Sequence, residues 1–293
     1  MQSAHPAKLR GDPGTDELAR QFAQELAAAI GRGSVELPAW SQMTERARAA
    51  LEDESLDDDR LAKLLAAEAG LAVRVLTIAN AAMFAAGGAR TADLKLAVMR
   101  LGRDCLRSAV YAYALAQLRH APRLLAVREE LRALWRESTA VATLARLVAI
   151  ETHWVDPDEA LLAGLLHNIG KLALLGQLDR APPPLREPPA RAALLIAWHA
   201  RIGLALSLNW RLPESVCTAI AEQDTLEATR GGRANLNDVL AVAVIGSGVE
   251  QDARQVAGHL AAFSRFGLDA ARWLALLERA RLESAALRSA FGE

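Results

Sequence analysis

Apolar residues recur at intervals of three and four along almost the whole chain, a spacing that lines one face of an α-helix. Alanine and leucine dominate, whereas valine, isoleucine and threonine rarely alternate with polar residues as they do in a half-buried strand. The sequence therefore predicts an all-α protein.

Capping residues and apolar stripes place the helices along the chain. The first predicted helix follows Thr15, has acidic residues in its first turn and stops at Gly31. Ser55 followed by Asp58 predicts a capping box that opens a later helix. The predicted helices cover residues 16–30, 40–51, 57–68, 72–80, 93–100, 104–119, 122–151, 158–175, 189–209, 213–222, 236–249, 252–265 and 269–291.

The composition limits the classes of function. With 293 residues, of which 52% are hydrophobic and 24% charged, the chain can bury one large core or two modest ones. The 34 Lys and Arg residues are balanced by 35 Asp and Glu residues, so no overall basic field is available to hold a phosphate backbone. Direct nucleic-acid binding is therefore not expected.

Cysteine usage and the N-terminus indicate the compartment. Cys105 and Cys217 lie far apart in apolar helical contexts and match neither a disulfide framework nor a zinc pattern. Residues 1–14 lack an apolar core of signal-peptide length, and no apolar run approaches the ~20 residues that span a bilayer. We therefore expect a cytoplasmic protein without a membrane span.

The run at residues 159–174 places an imidazole, an amide and an ammonium close together in an otherwise apolar predicted helix. These groups belong to His167, Asn168 and Lys171. Lys171 lies one turn after His167 and is suited to recognise a phosphate, to extend to water or to pair with an acid such as Glu137. Gly170 predicts a close approach of another helix at this point.

Seven short motifs, in order and in register, resemble the HDOD family, the "HD-related output domain" of bacterial signalling proteins. They lie at residues 37–39, 58–65, 71–80, 96–102, 134–138, 163–171 and 199–213. The resemblance covers roughly residues 35–225 and implies an all-helical bundle derived from the HD phosphohydrolase fold. It also implies a link to response-regulator or cyclic-dinucleotide signalling, and action through contacts instead of catalysis.

The chain departs from the HD hydrolases at their metal ligands. In those enzymes a His-Asp pair holds a divalent metal that activates water, and the resemblance assigns this pair to His167 and Asn168. An amide is neutral and is a poorer ligand for a hard dication than a carboxylate. The first metal-binding histidine corresponds to Glu137 and the closing aspartate to Val244, which has no ligating atom. The sequence therefore predicts a degenerate site with no metal, no cofactor and no catalytic residue.

Two interpretations of His167 remain open. It is either a buried core imidazole, which the missing acids favour, or one ligand of a weak metal site that also uses Glu137 and His199. Three tryptophans in or beside apolar helical stretches are predicted to pack in the core or line a groove: Trp135, Trp198 and Trp210.

The predicted organisation has three parts. Residues 1–34 form an N-terminal helix with its flanking segment, and residues 35–249 form the HDOD domain. Within this domain a helical lobe at about 35–120 packs against an HD-like lobe at about 121–249. Residues 250–293 add C-terminal helices on the bundle, the last with a broad apolar stripe that needs either its own bundle or another subunit as a partner.

Three functions follow, in decreasing order of support. The first is a non-enzymatic signalling output or scaffold module that binds regulatory or signalling proteins in a bacterial cytoplasm. The second is a metal-dependent phosphohydrolase with an atypical site, acting on a nucleotide or cyclic dinucleotide. The third is a module that senses a nucleotide through Lys171 and nearby arginines without catalysis.

Overall fold

The computed structural model describes residues 13–35, 42–81, 90–118, 121–223, 234–248 and 266–290. These residues form helices and their connections and contain no strand, which confirms the all-α prediction. The predicted helix at 252–265 lies outside the described residues. The helices are α1 (Pro13–Gly31), α2 (Gln42–Glu52), α3 (Asp58–Ala66), α4 (Ala69–Ala79), α5 (Leu94–Leu118), α6 (Arg128–Thr152), α7 (Pro157–Leu166), α8 (Ile169–Gly176), α9 (Pro183–Arg186), α10 (Pro188–Asn209), α11 (Glu214–Glu222), α12 (Leu236–Ser247) and α13 (Ala270–Ala290).

The chain divides into two compact units, and the first joins Met1–Pro38 to Leu166–Thr225. Its central helix is α10, on which α1, α8, α9 and α11 all pack. The buried side of α1 includes Leu26 and Ile30. The side chain of Asn209 donates from Nδ2 to the carbonyl of Ile30 at 3.1 Å, so the end of α10 satisfies a carbonyl at the end of α1.

The second unit comprises Ala39–Leu165 and Leu226–Glu293. Here α5 packs on α2, α3 and α4, while α6 packs on α12 and α13. The ring of Trp273 lies over Gly246, because a Cβ at position 246 would stand 2.5 Å from a ring carbon. Trp273, Ala280 and Leu287 from the predicted stripe of the last helix are buried, so that stripe finds its partner in its own bundle.

These units differ from the two lobes that the sequence predicts. The second unit contains α5 of the predicted first lobe together with α6 and α12 of the HD-like lobe. The first unit combines α1 with the later helices of the HD-like lobe. The lobe boundary near residue 120 therefore stays a prediction.

Two local features refine the predicted helix ends. The break between the predicted helices at 93–100 and 104–119 is confirmed as a kink inside α5 at Gly102, where φ is +69°, a value that glycine adopts without strain. The predicted capping box is wrong. Asp57, and not Ser55, caps α3 by accepting a hydrogen bond from the N–H of Arg60 at 2.8 Å. Ser55 instead donates to the carboxylate of Asp53.

Arg103, just after this kink, ties α5 to the end of α2. Its Nη1 donates to the carbonyls of Ala50, Leu51 and Asp53 at 3.4, 3.2 and 3.0 Å, and its Nη2 donates to the carbonyl of Leu56. The last carbonyls of a helix have no intrahelical donor. One guanidinium therefore satisfies two of the last carbonyls of α2 and two carbonyls of the turn that follows, using the fork of donors that only arginine provides.

We expect Arg103→Lys to lower the free energy of unfolding by about 1–3 kcal/mol, because a compact ammonium cannot reach four carbonyls at once. Urea unfolding followed by circular dichroism measures this loss. Arg107→Lys is the matched control, since Arg107 bonds to the exposed carboxylate of Asp104 on its own helix. The control should change stability by about 0.5 kcal/mol or less. Equal losses of stability in the two variants would contradict the role of Arg103 in binding these four carbonyls.

One described helix, α10, is long and apolar enough to cross a membrane when judged by length and composition alone. The expectation that no apolar run approaches this length is therefore wrong for Pro188–Asn209. A core helix of a folded unit passes the same test, and α10 is the helix on which four others of the first unit pack. Its buried residues include Leu194, Ile202 and Leu206.

Candidate functional site

His167 and Asn168 form a turn between two helices. The single helix predicted over residues 158–175 is wrong, because α7 ends at Leu166 and α8 begins at Ile169. Asn168 has φ −93° and ψ 9°, values of the bridge region beside the helical one. The carbonyl of His167 accepts a hydrogen bond from Nε2 of Gln223 at 2.8 Å. A side-chain amide thus supplies the donor for a carbonyl at the break.

Gly170 brings α8 and α10 into close contact. A Cβ built on Gly170 would lie 1.9 Å from the carbonyl oxygen of His199 and 2.8 Å from the backbone nitrogen of Gly203. Both neighbours are backbone atoms, so no side chain fits between the helices. The structure confirms the predicted close approach and brings the start of α8 against the turn of α10 that carries His199.

The polar side chains at this crossing are buried. His167 is 2% exposed, Asn168 0% and His199 5%. Among the residues that the structure describes, neither Oδ1 nor Nδ2 of Asn168 has a hydrogen-bond partner. A buried polar group without a partner costs roughly 1–3 kcal/mol of folding free energy. The side chain of Asn168 therefore lowers the stability of this otherwise apolar segment.

The neutral charge of Asn168 suits this burial. A carboxylate at position 168 would place a full negative charge in the protein interior. Burying that charge costs more free energy than burying the neutral amide, unless a cation or several hydrogen-bond donors pair with it. Lys171, one turn further along α8, is half-buried and forms no ion pair with any residue in the described ranges. This lysine can therefore offset only part of such a charge.

Two of the predicted site residues belong to the second unit. Glu137 lies on α6 with an exposed side chain, directly before the buried Ser138. Val244 lies on α12 and is half-buried, and its side chain is pure hydrocarbon. His167, Asn168, Lys171 and His199 belong to the first unit.

Candidate metal ligands do not cluster in the described part of the chain. No group of three or more His, Cys, Asp or Glu side chains within these residues could hold a metal ion. Cys105 and Cys217 are both free and buried, in agreement with the expectation of no disulfide. Burial raises the pKa of the Cys105 thiol, which therefore stays protonated.

One residue that holds the site was not predicted from the sequence. The Nε2 group of Gln223 donates to the carbonyls of both His167 and Ile220, at 2.8 and 2.9 Å. Gln223 and His167 are 56 residues apart, and no local pattern predicts a pairing over that separation. The tryptophan prediction is confirmed, since all three are buried: Trp135, Trp198 and Trp210.

Comparison with known proteins identifies relatives of this chain. A family model described as the HDOD domain matches residues 37–226, which is more than half of the chain. An uncharacterised protein of Treponema pallidum (strain Nichols) is 26% identical over 210 residues, covering 67% of this chain and 39% of that protein. The chain thus spans about two-fifths of the length of that relative.

Solved structures share the fold. A protein of Shewanella amazonensis SB2B, provisionally named a metal-dependent phosphohydrolase, has a TM-score of 0.75 at 21% identity, covering 92% of this chain and 99% of its own. An HDOD domain protein of unknown function from Geobacter sulfurreducens has a TM-score of 0.61 at 24% identity, covering 94% and 98%. A protein of Marinobacter aquaeolei VT8, provisionally named for signal transduction, has a TM-score of 0.57 at 19% identity, covering 97% and 67%. These structures show the fold, and the family model that matches residues 37–226 shows that the chain belongs to the HDOD family.

Proposed function

We propose that this protein is a non-catalytic signalling module that acts through contacts with regulatory proteins. The observation that carries the proposal is the chemistry of the turn at His167 and Asn168. The position that bears an aspartate in HD hydrolases bears here a neutral amide, which is fully buried. A site built around a dication would instead need an anionic oxygen at this point.

A hydrolytic metal ion fits the present residues poorly. A catalytic site needs about three protein ligands and one open coordination position for water. At the crossing of α8 and α10 the candidates are two imidazoles, from His167 and His199, and the amide of Asn168. Val244, where the resemblance expects an aspartate, offers no donor. These residues support a scaffold better than an enzyme.

The competing function is a phosphohydrolase with an altered metal site. The observation in its favour is that two imidazoles, those of His167 and His199, are buried at one helix crossing, since imidazole suits transition metals. A nucleotide sensor without catalysis is the third candidate, with Lys171 as its phosphate contact. For the signalling module we propose a bacterial cytoplasmic location, in keeping with the bacterial origin of the relatives above.

We expect the purified protein to hydrolyse neither a generic phosphodiester nor cyclic-di-GMP nor a cyclic nucleotide, with Mn, Mg, Fe or Zn added. The physical reason is that no set of donors in the described part of the chain would fix a dication strongly enough to deprotonate water near neutral pH. Elemental analysis should find no stoichiometric transition metal, and thermal melting should coincide with and without a strong chelator.

Metal-dependent turnover that disappears in His167→Ala would contradict the proposal and place the hydrolase first. His167→Gln, which keeps a buried polar side chain, separates packing from chemistry. For a core histidine it should cost about 1–3 kcal/mol of stability. Proteins cross-linked to the wild type in the native cell should then still be captured by the folded fraction of this variant.

A further inference from the structure

We draw no further inference here: the strongest candidate, the patch of exposed apolar side chains of Val73, Leu96 and Met99 on the packed helices α4 and α5 of the second unit, carries no proposal, because nothing in the structure shows what covers it.

Discussion

Gly170→Ala should lower the free energy of unfolding by roughly 3 kcal/mol or more, the largest single loss that we expect in this chain. The added methyl would stand 1.9 Å from the carbonyl oxygen of His199 and 2.8 Å from the nitrogen of Gly203. These are backbone atoms of α10, which cannot rotate away as a side chain does. The two helices must separate, so the apolar side chains that flank this backbone contact lose part of their packing. Urea unfolding with circular dichroism measures the loss.

Gly31→Ala is the matched control for this prediction. Gly31 is also helical, at the end of α1, and nothing lies within 4 Å of a Cβ built there. Its replacement should change stability by about 1 kcal/mol or less. A loss of the same small size at Gly170 would show that α8 and α10 do not meet as closely as the structure has them.

Asn168→Asp should cost about 3 kcal/mol at neutral pH, because it introduces a charge at a fully buried position. Burial should raise the pKa of the introduced carboxyl above the value of about 3.9 that it has in the unfolded chain. Below that value the carboxyl is protonated in both states and the variant should approach the wild type. As the pH rises, the unfolded state releases its proton first, so the loss grows until the folded-state pKa is passed.

Unfolding of Asn168→Asp and of the wild type at several pH values measures this dependence. Asn168→Leu, which removes both polar groups that lack partners, is the control and should be neutral or stabilising at every pH. Added Mn²⁺ or Zn²⁺ should not restore the aspartate variant. Recovery with metal would contradict the scaffold proposal, because it would show that one restored acid completes a metal site.

Periodicity and capping were sufficient to predict most of the helices. The predicted start of α10 is within one residue of the observed start, because Pro188 and Pro189 suit a first helical turn. The turn at His167 was missed because its apolar neighbours fit a continuous helix, and a break stabilised by Gln223 leaves no local signal. The same holds for the cap on α3, where three successive aspartates offered several choices.

The site was predictable in its composition and less so in its geometry. The motif at 163–171 identified His167 and Asn168, and glycine at position 170 correctly predicted a helix contact. Sequence alone could not show that this contact is with the backbone of His199, because the two residues meet only when α8 and α10 pack. The exposure of Glu137 likewise depends on how α6 is oriented in the second unit, which its local sequence does not determine.

The first unit is assembled from two distant stretches of the chain. This separation affects the order in which its helices can pack during synthesis. Asn209, which satisfies the carbonyl of Ile30, follows it by 179 residues. At a synthesis rate of about 5–20 residues per second, α1 waits roughly 10 to 40 s for α10 to emerge. During that interval the apolar stripe of α1 lacks its main partner in the first unit, so α1 is made well before the helix that holds it in place.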